Sequence, residues 1–342
     1  MNYSTFDRFQ GVWLGSIIGL ALGTKPDQGS YSEHRRILNL ATNPWLTTRN
    51  NIAQIIIDTQ NIPASAITQQ LVWLVEQTVS QANANGNQHN SLAIAQKLSL
   101  RTILALLPVM IFQPQPQTIY GDLIGECNSF LDNPAEIERD ILLWSYLLTS
   151  IINNQLLLAD NQIGSLIEQT LIGVEVRVSC LVEQLEIIDR AWLQGFSLRQ
   201  LTEELTRQSN FLAGEMRIRV LMLLALYCFA STPDNFMLSI KRASSLNYPW
   251  SEIIATLTAT LSGAYNGITR LPINWRQTAN NNGVYQQAQT TISALFKTWL
   301  GVYNSSHNHQ VIYDPKTDAV AVPKIIQPRS TLKIISQKSK IS

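Results

Sequence analysis

Charge is scarce in this chain. Only 14% of its 342 residues are Asp, Glu, Lys or Arg, against about a quarter in ordinary globular domains. The two signs nearly cancel at a net +1, which leaves no global field to draw in nucleic acid or an acidic membrane surface. Cysteine is scarcer still. Cys127, Cys180 and Cys228 are odd in number and far apart, so they form neither a disulfide framework nor a metal-binding spacing. They fit a reducing compartment, and a cytoplasmic location is expected. Long apolar runs are missing too. GVWLGSIIGLALG (11–23) and VLMLLALYCFA (220–230) are both shorter than the roughly 20 residues that a bilayer crossing needs. No basic region precedes the first run, since Asp7 and Arg8 cancel. Neither a signal peptide nor a membrane partner is expected.

What the chain does have is apolar bulk, at 45% of residues, and helical spacing. Strand signals are few before residue 304. In NIAQIIIDTQNI (51–62), ITQQLVWLVEQTVSQA (67–82), IERDILLWSYLLTSII (137–152) and IGSLIEQTLIGVEV (163–176), apolar residues return at three and four. LRQLTEELTRQSNFL (198–212) and QAQTTISALFKTWLGVY (287–303) repeat the pattern, and VLMLLALYCFA reads as a buried helix. Pro and Asn/Gly clusters such as NANGNQHN (83–90), QPQPQ (113–117) and TPDN (232–235) separate them. The expected fold is all-α: one compact, single-domain helix bundle over 1–303. Residues 304–342 differ. Their basic residues Lys316, Lys324, Arg329, Lys333, Lys338 and Lys340 face only Asp314 and Asp318. An extended, basic, partly disordered tail is expected there, able to dock on a partner.

Gly11, Gly15, Gly19 and Gly23 fall every fourth residue, on one face of a helix. Each costs about 0.8–1 kcal/mol relative to alanine. A face without side chains lets another backbone come close. The absence of charge in the same run predicts a helix buried all round.

RFQGVWLGSIIGLALG (8–23) resembles the N-terminal helix of the ADP-ribosylglycohydrolase family, which reads Arg-Phe-x-Gly, Leu-Gly, then Gly-Asp-Ala-Leu-Gly. GAYNGITRLPINW (263–275) resembles that family's Gly-Ala-x-x-Gly and Pro-x-x-Trp segment, with Gly263, Ala264, Gly267, Pro272 and Trp275 in place. ALYCFASTPDNFMLSIKRA (225–243) resembles the helix pair leading into it, and LLPVMIF (106–112) a central segment through Pro108 and Val109.

The resemblance implies a compact orthogonal helix bundle. It also implies hydrolysis of the N- or O-glycosidic bond of ADP-ribose at two magnesium ions. Magnesium wants oxygen ligands, and two ions need several converging carboxylates. This chain departs from the family at those positions. The Asp of Gly-Asp-Ala-Leu-Gly is Leu20. The Thr/Ser-Asp-Asp-Thr motif falls on Thr47, Thr48, Arg49 and Asn50, or on a one-residue shift of that, and neither placement contains an acid. The Thr-His pair becomes Phe130 and Leu131, and the Arg beside the central Pro becomes Ala105. The second metal motif falls on Trp250 and Glu252, or on Pro249 and Ser251 in the other register. Glu252 is the one carboxylate left at these positions and a weak candidate ligand, since a place in the first helical turn behind the cap Ser251 explains it without a metal.

The expectation is a degenerate member. It has no catalytic residues, no cofactor, and an altered cleft near Leu20, Thr48, Arg49, Trp250 and Glu252. Its partner would be a nucleotide-like ligand or a protein. The alternative is an active hydrolase with relocated ligands, for which Asp27, Glu33 and Asp58 are the candidates.

Other polar groups read as structural. His307 and His309 lack further zinc ligands nearby, and His34 and His89 stand alone. Cys180 has no histidine near it along the chain, and a buried thiol is expected. RIR (217–219) should mark an exposed edge of a buried helix. The pairs Glu203–Glu204 and Glu136–Glu138 should be solvated faces, and EHRR (33–36) a surface turn.

Overall fold

A computed structural model describes residues 3–23, 43–84, 101–112, 117–126, 134–153, 179–208, 218–246, 251–280 and 284–301. Every regular element among the described residues is a helix. In chain order these are α1 (Thr5–Gly23), α2 (Pro44–Thr59), α3 (Ala64–Ala84), α4 (Leu107–Phe112), α5 (Gln117–Glu126), α6 (Pro134–Ile152), α7 (Ser179–Leu193), α8 (Leu198–Gln208), α9 (Ile218–Ala230), α10 (Phe236–Ser244) and α11 (Ser251–Asn266). A 3-10 turn (Ile268–Arg270), α12 (Ile273–Asn280) and α13 (Val284–Trp299) follow. No described helix is long and apolar enough to cross a membrane. The all-α reading is therefore correct. The expected helix at 163–176 and the expected tail at 304–342 lie outside the described residues.

Local chemistry sets the helix ends. Ser4 and Asp7 form a reciprocal box: the Ser4 amide donates to Asp7 Oδ2 at 3.3 Å and the Asp7 amide to Ser4 Oγ at 3.1 Å. Ser197 and Gln200 repeat the device before α8. Asn43 accepts from the Trp45 amide, with Pro44 in the first helical position. Asn235 accepts from the Leu238 amide at 3.1 Å and opens α10.

α1 is the central element. Every residue from Arg8 to Ala21 is buried, as a charge-free helix requires. Its glycine face lies antiparallel against α11. Gly11 meets Gly263, Gly15 meets Ala259, Gly19 meets Ala255, and Gly23 meets Ser251 and Glu252. Both partners thus carry a small residue or bare backbone every fourth position. A Cβ added at Gly11 would run into the Gly263 carbonyl oxygen, and one at Gly15 into the Ala259 carbonyl oxygen. The four glycines give up helix propensity, and backbone contact along the seam offsets it.

The second matched segment is explained by the same contact. Gly263 is the seam partner of Gly11. Asn266 donates to the carbonyls of Ser262 (2.9 Å) and Pro233 (2.6 Å) and closes the end of α11. Gly267 then takes φ +63°, which L side chains rarely adopt, with Tyr3 and Asp7 packed over it. Pro272 accepts the Trp275 and Arg276 amides at 3.1 Å each. The Trp275 ring meets Phe236 edge-on at 6.3 Å.

The other faces of α1 are covered as well. Phe9 packs on Phe296 and Trp299 of α13 at 5.0 and 5.3 Å. Arg8 Nη1 donates to the Ile151 carbonyl in the last turn of α6 at 2.5 Å, where a cation suits the helix dipole. α9 is buried along most of its length, as VLMLLALYCFA implied. Two readings need correction. Arg219, placed on an exposed edge, is 4% exposed, and Glu136, placed on a solvated face, is 9% exposed. Their burial follows from a shared ion pair described below.

Gly11→Ala or Gly15→Ala should destabilise the fold by about 3 kcal/mol, the upper range for forcing a methyl into a packed core. Gly125 in α5 is exposed and has nothing within 4 Å of an added Cβ. Gly125→Ala should be neutral or stabilising by up to about 1 kcal/mol. Denaturant midpoints of the three variants decide this. Equal effects at Gly11 and Gly125 would mean that the seam does not resist a methyl.

Candidate functional site

The seam fixes which groups meet at the C-terminal end of α1. Ser251 Oγ donates to the Gly23 carbonyl at 2.9 Å, so the first residue of α11 satisfies an orphan acceptor at the end of α1. Glu252, next along, lies with its Cα against Gly23 and is half-buried. Arg101, 9% exposed, donates from Nη1 to Thr78 Oγ1 of α3 at 3.1 Å. Burial pulls the Arg101 pKa down, and the negative charge of Glu252 partly restores it. The surviving acid of the second motif therefore faces a buried arginine.

One turn back along α1 from Leu20 stands a second cation. Arg49 of α2 is 1% exposed. Its guanidinium lies over the Trp13 ring at 4.1 Å and near the Trp45 ring at 5.6 Å. Nη1 donates to Ser16 Oγ at 2.5 Å and to the Trp13 carbonyl at 3.5 Å, and Nη2 reaches Asn50 Oδ1 at 3.4 Å. Arg49 Nε and the neighbouring Thr48 Oγ1 have no hydrogen-bond partner. No carboxylate pairs with Arg49 among the described residues. Burial alone pushes its pKa down to about 9, so the group is still charged at neutral pH. Two indole faces stabilise a desolvated guanidinium by about 2 kcal/mol or more where contact is close. Arginine tolerates this better than lysine because its delocalised charge is more weakly hydrated.

The sequence candidates fall as follows. Leu20 is 1% exposed within the apolar core, and Thr48 is fully buried. Arg49 sits among α1 side chains, and Glu252 sits at the end of α1 beside Arg101. Trp250 lies outside the described residues, as do Asp27, Glu33, Phe130, Leu131 and all four histidines. Asp58 is exposed on α2 and accepts from Gln54 Nε2 at 2.7 Å, on the outer surface. Ala105 is buried. Cys228 is buried, and burial pushes its thiol up to about 12, so it is no nucleophile at neutral pH.

Sequence reading missed Arg101, Ser16 and the Trp13–Trp45 pair. A signal for the last was present. Trp45 and Arg49 are four apart at the start of one helix, the spacing that places a cation over a ring.

A divalent ion of the magnesium kind needs converging oxygen donors. Among the described residues no three His, Cys, Asp or Glu side chains gather closely enough to hold one. Two buried guanidiniums stand in the region, and a like charge disfavours a cation there.

No protein-family model matches the chain, and no curated protein is similar to it. Among solved structures it is similar to an "ADP-ribosylglycohydrolase-related protein complex", with a TM-score of 0.55 at 15% identity. The match covers 86% of this chain and 99% of the other. At that identity the likeness speaks for the fold, an all-helical bundle of this type.

Arg49→Lys should cost about 2 kcal/mol, because an ammonium loses the flat stacking and the forked donors and is harder to desolvate. Tryptophan emission should change with it, since Trp13 and Trp45 lose the overlying group. A denaturant midpoint and an emission spectrum both equal to wild type would show that the stacked geometry is not used.

Proposed function

We propose that the chain is an ADP-ribosylglycohydrolase-like protein without the dinuclear magnesium site, acting as a non-catalytic binding or regulatory protein. The observation that carries this reading is Arg49. A charged guanidinium is shut between Trp13 and Trp45, in the stretch where the resemblance puts an acid pair. Leu20 adds a buried apolar side chain where it puts a third acid. Glu252 joins no acidic cluster among the described residues, and its charge acts on Arg101. The hydrolytic alternative has less support, since Asp58 is on the outside of α2 and bonded to Gln54.

The partner follows from the same chemistry. Among the described residues, Arg101 and Glu252 near the end of α1 are polar groups that a nucleotide-like ligand could use. A protein partner would use the outer surface or residues 304–342 instead. ADP-ribose is the direct probe for the first case, because a ligand that binds only the folded state raises its unfolding temperature with concentration.

Titration calorimetry with magnesium should give no binding heat, and ADP-ribosylated protein should release no ADP-ribose with or without the metal. Metal-dependent release overturns the reading. A concentration-dependent rise in unfolding temperature with ADP-ribose assigns the ligand role. If no rise occurs, pull-down from native extract with and without residues 304–342 should recover a protein partner.

A further inference from the structure

Away from that region, one guanidinium holds two buried carboxylates. Arg219, in the first turn of α9, donates from Nε to Asp140 Oδ1 at 2.8 Å and reaches Glu136 Oε1 from Nη2 at 3.4 Å. Asp140 is 2% exposed. Its second oxygen, Oδ2, is buried and has no hydrogen-bond partner. Glu136 belongs to the first turn of α6, where the helix end favours negative charge. The charged groups that act on Asp140 are Arg219 from α9 and Glu136 and Arg139 from α6. Arg139 is exposed and donates to the Ala135 carbonyl, so solvent screens it. Among the described residues no charged group of α1, α4, α5 or α11 acts on this carboxyl.

With all three groups ionised, one positive charge faces two negative charges in a water-poor junction. An unbonded buried carboxylate oxygen is costly, while a protonated one is a donor and carries no charge. We propose that Asp140 takes up a proton in the folded protein, so that the α6–α9 junction is a pH-sensitive latch that tightens in mild acid. Burial raises the Asp140 pKa to about 6 against the opposing pull of Arg219.

The sign is fixed by linkage. The folded pKa lies above the ordinary aspartate value of about 3.9. Below about pH 4 both states hold the proton and the stabilising effect is complete. As pH rises from about 4 to about 6 the folded state holds the extra proton, and stability falls by up to tenfold in the equilibrium constant per pH unit. Above that the effect has gone.

The test is thermal unfolding of the full chain from pH 4.5 to 7.5, beside Asp140→Asn. Asparagine copies the neutral side chain and cannot titrate. The wild-type midpoint should fall more steeply with rising pH than the variant midpoint, and the two should converge in shape above pH 7. Parallel curves would overturn the proposal. Carboxyl-carbon NMR of Asp140 gives a second readout, with a midpoint near 6 expected and a midpoint near 4 overturning it. Should Asp140→Asn not fold, Glu136→Gln carries the test: removing the competing negative charge should move the Asp140 midpoint down, and an unmoved midpoint would refute the shared cluster.

Discussion

Two helix backbones pressed together along four turns set the rest of this molecule. α1 and α11 are distant in sequence and antiparallel in space, and their seam admits no side chain at Gly11, Gly15, Gly19 or Gly23. Contact that close has two consequences. It buries both helices nearly completely, so neither can carry exposed polar faces. It also pins the C-terminal end of α1 against the first turn of α11, through Ser251 and the Gly23 carbonyl. Residues at these two ends have little freedom in where they point. Whatever the region around Leu20 and Glu252 does is dictated by a packing contact made for other reasons.

Given that scaffold, the cost of burying charge decides what chemistry the region can support. The chain has few charges to begin with, yet it places Arg8, Arg49, Arg101 and Arg219 inside. Each is handled differently. Arg8 takes a carbonyl at a helix end, Arg49 takes indole faces and a hydroxyl, Arg101 takes Thr78 and the field of Glu252, and Arg219 takes two carboxylates. Arg49 and Arg101 thus keep buried positive charge beside α1 and α3 through rings, hydroxyls and the field of one carboxylate.

The fold was largely legible because its signals are local. Periodicity in α3, α6, α8 and α13 and the charge-free glycine run each report on a few neighbouring residues. The partner of the glycine face was not legible from the stripe itself. Ala255 and Ala259 carry the matching period on α11, but threonines between them hide it. Of the candidate site, the resemblance pointed to Leu20, Arg49 and Glu252, while Arg101 depends on a contact between distant helices and has no signal in the sequence. Arg219 and Glu136 were misread for the same reason. Beside an apolar run, a charge reads as a solvated edge unless its partner is known, and here the partners are 83 and 79 residues apart in the chain.

These two classes of residue vary under different constraints. A seam residue such as Gly11 is held by the backbone atoms of Gly263, and no compensating change nearby makes room for a methyl. Position 49 is held by side-chain contacts instead. Its flat, weakly hydrated cation stacks on Trp13 and joins α2 to α1. The seam is therefore fixed by backbone shape, whereas the contacts of Arg49 are fixed by side-chain chemistry.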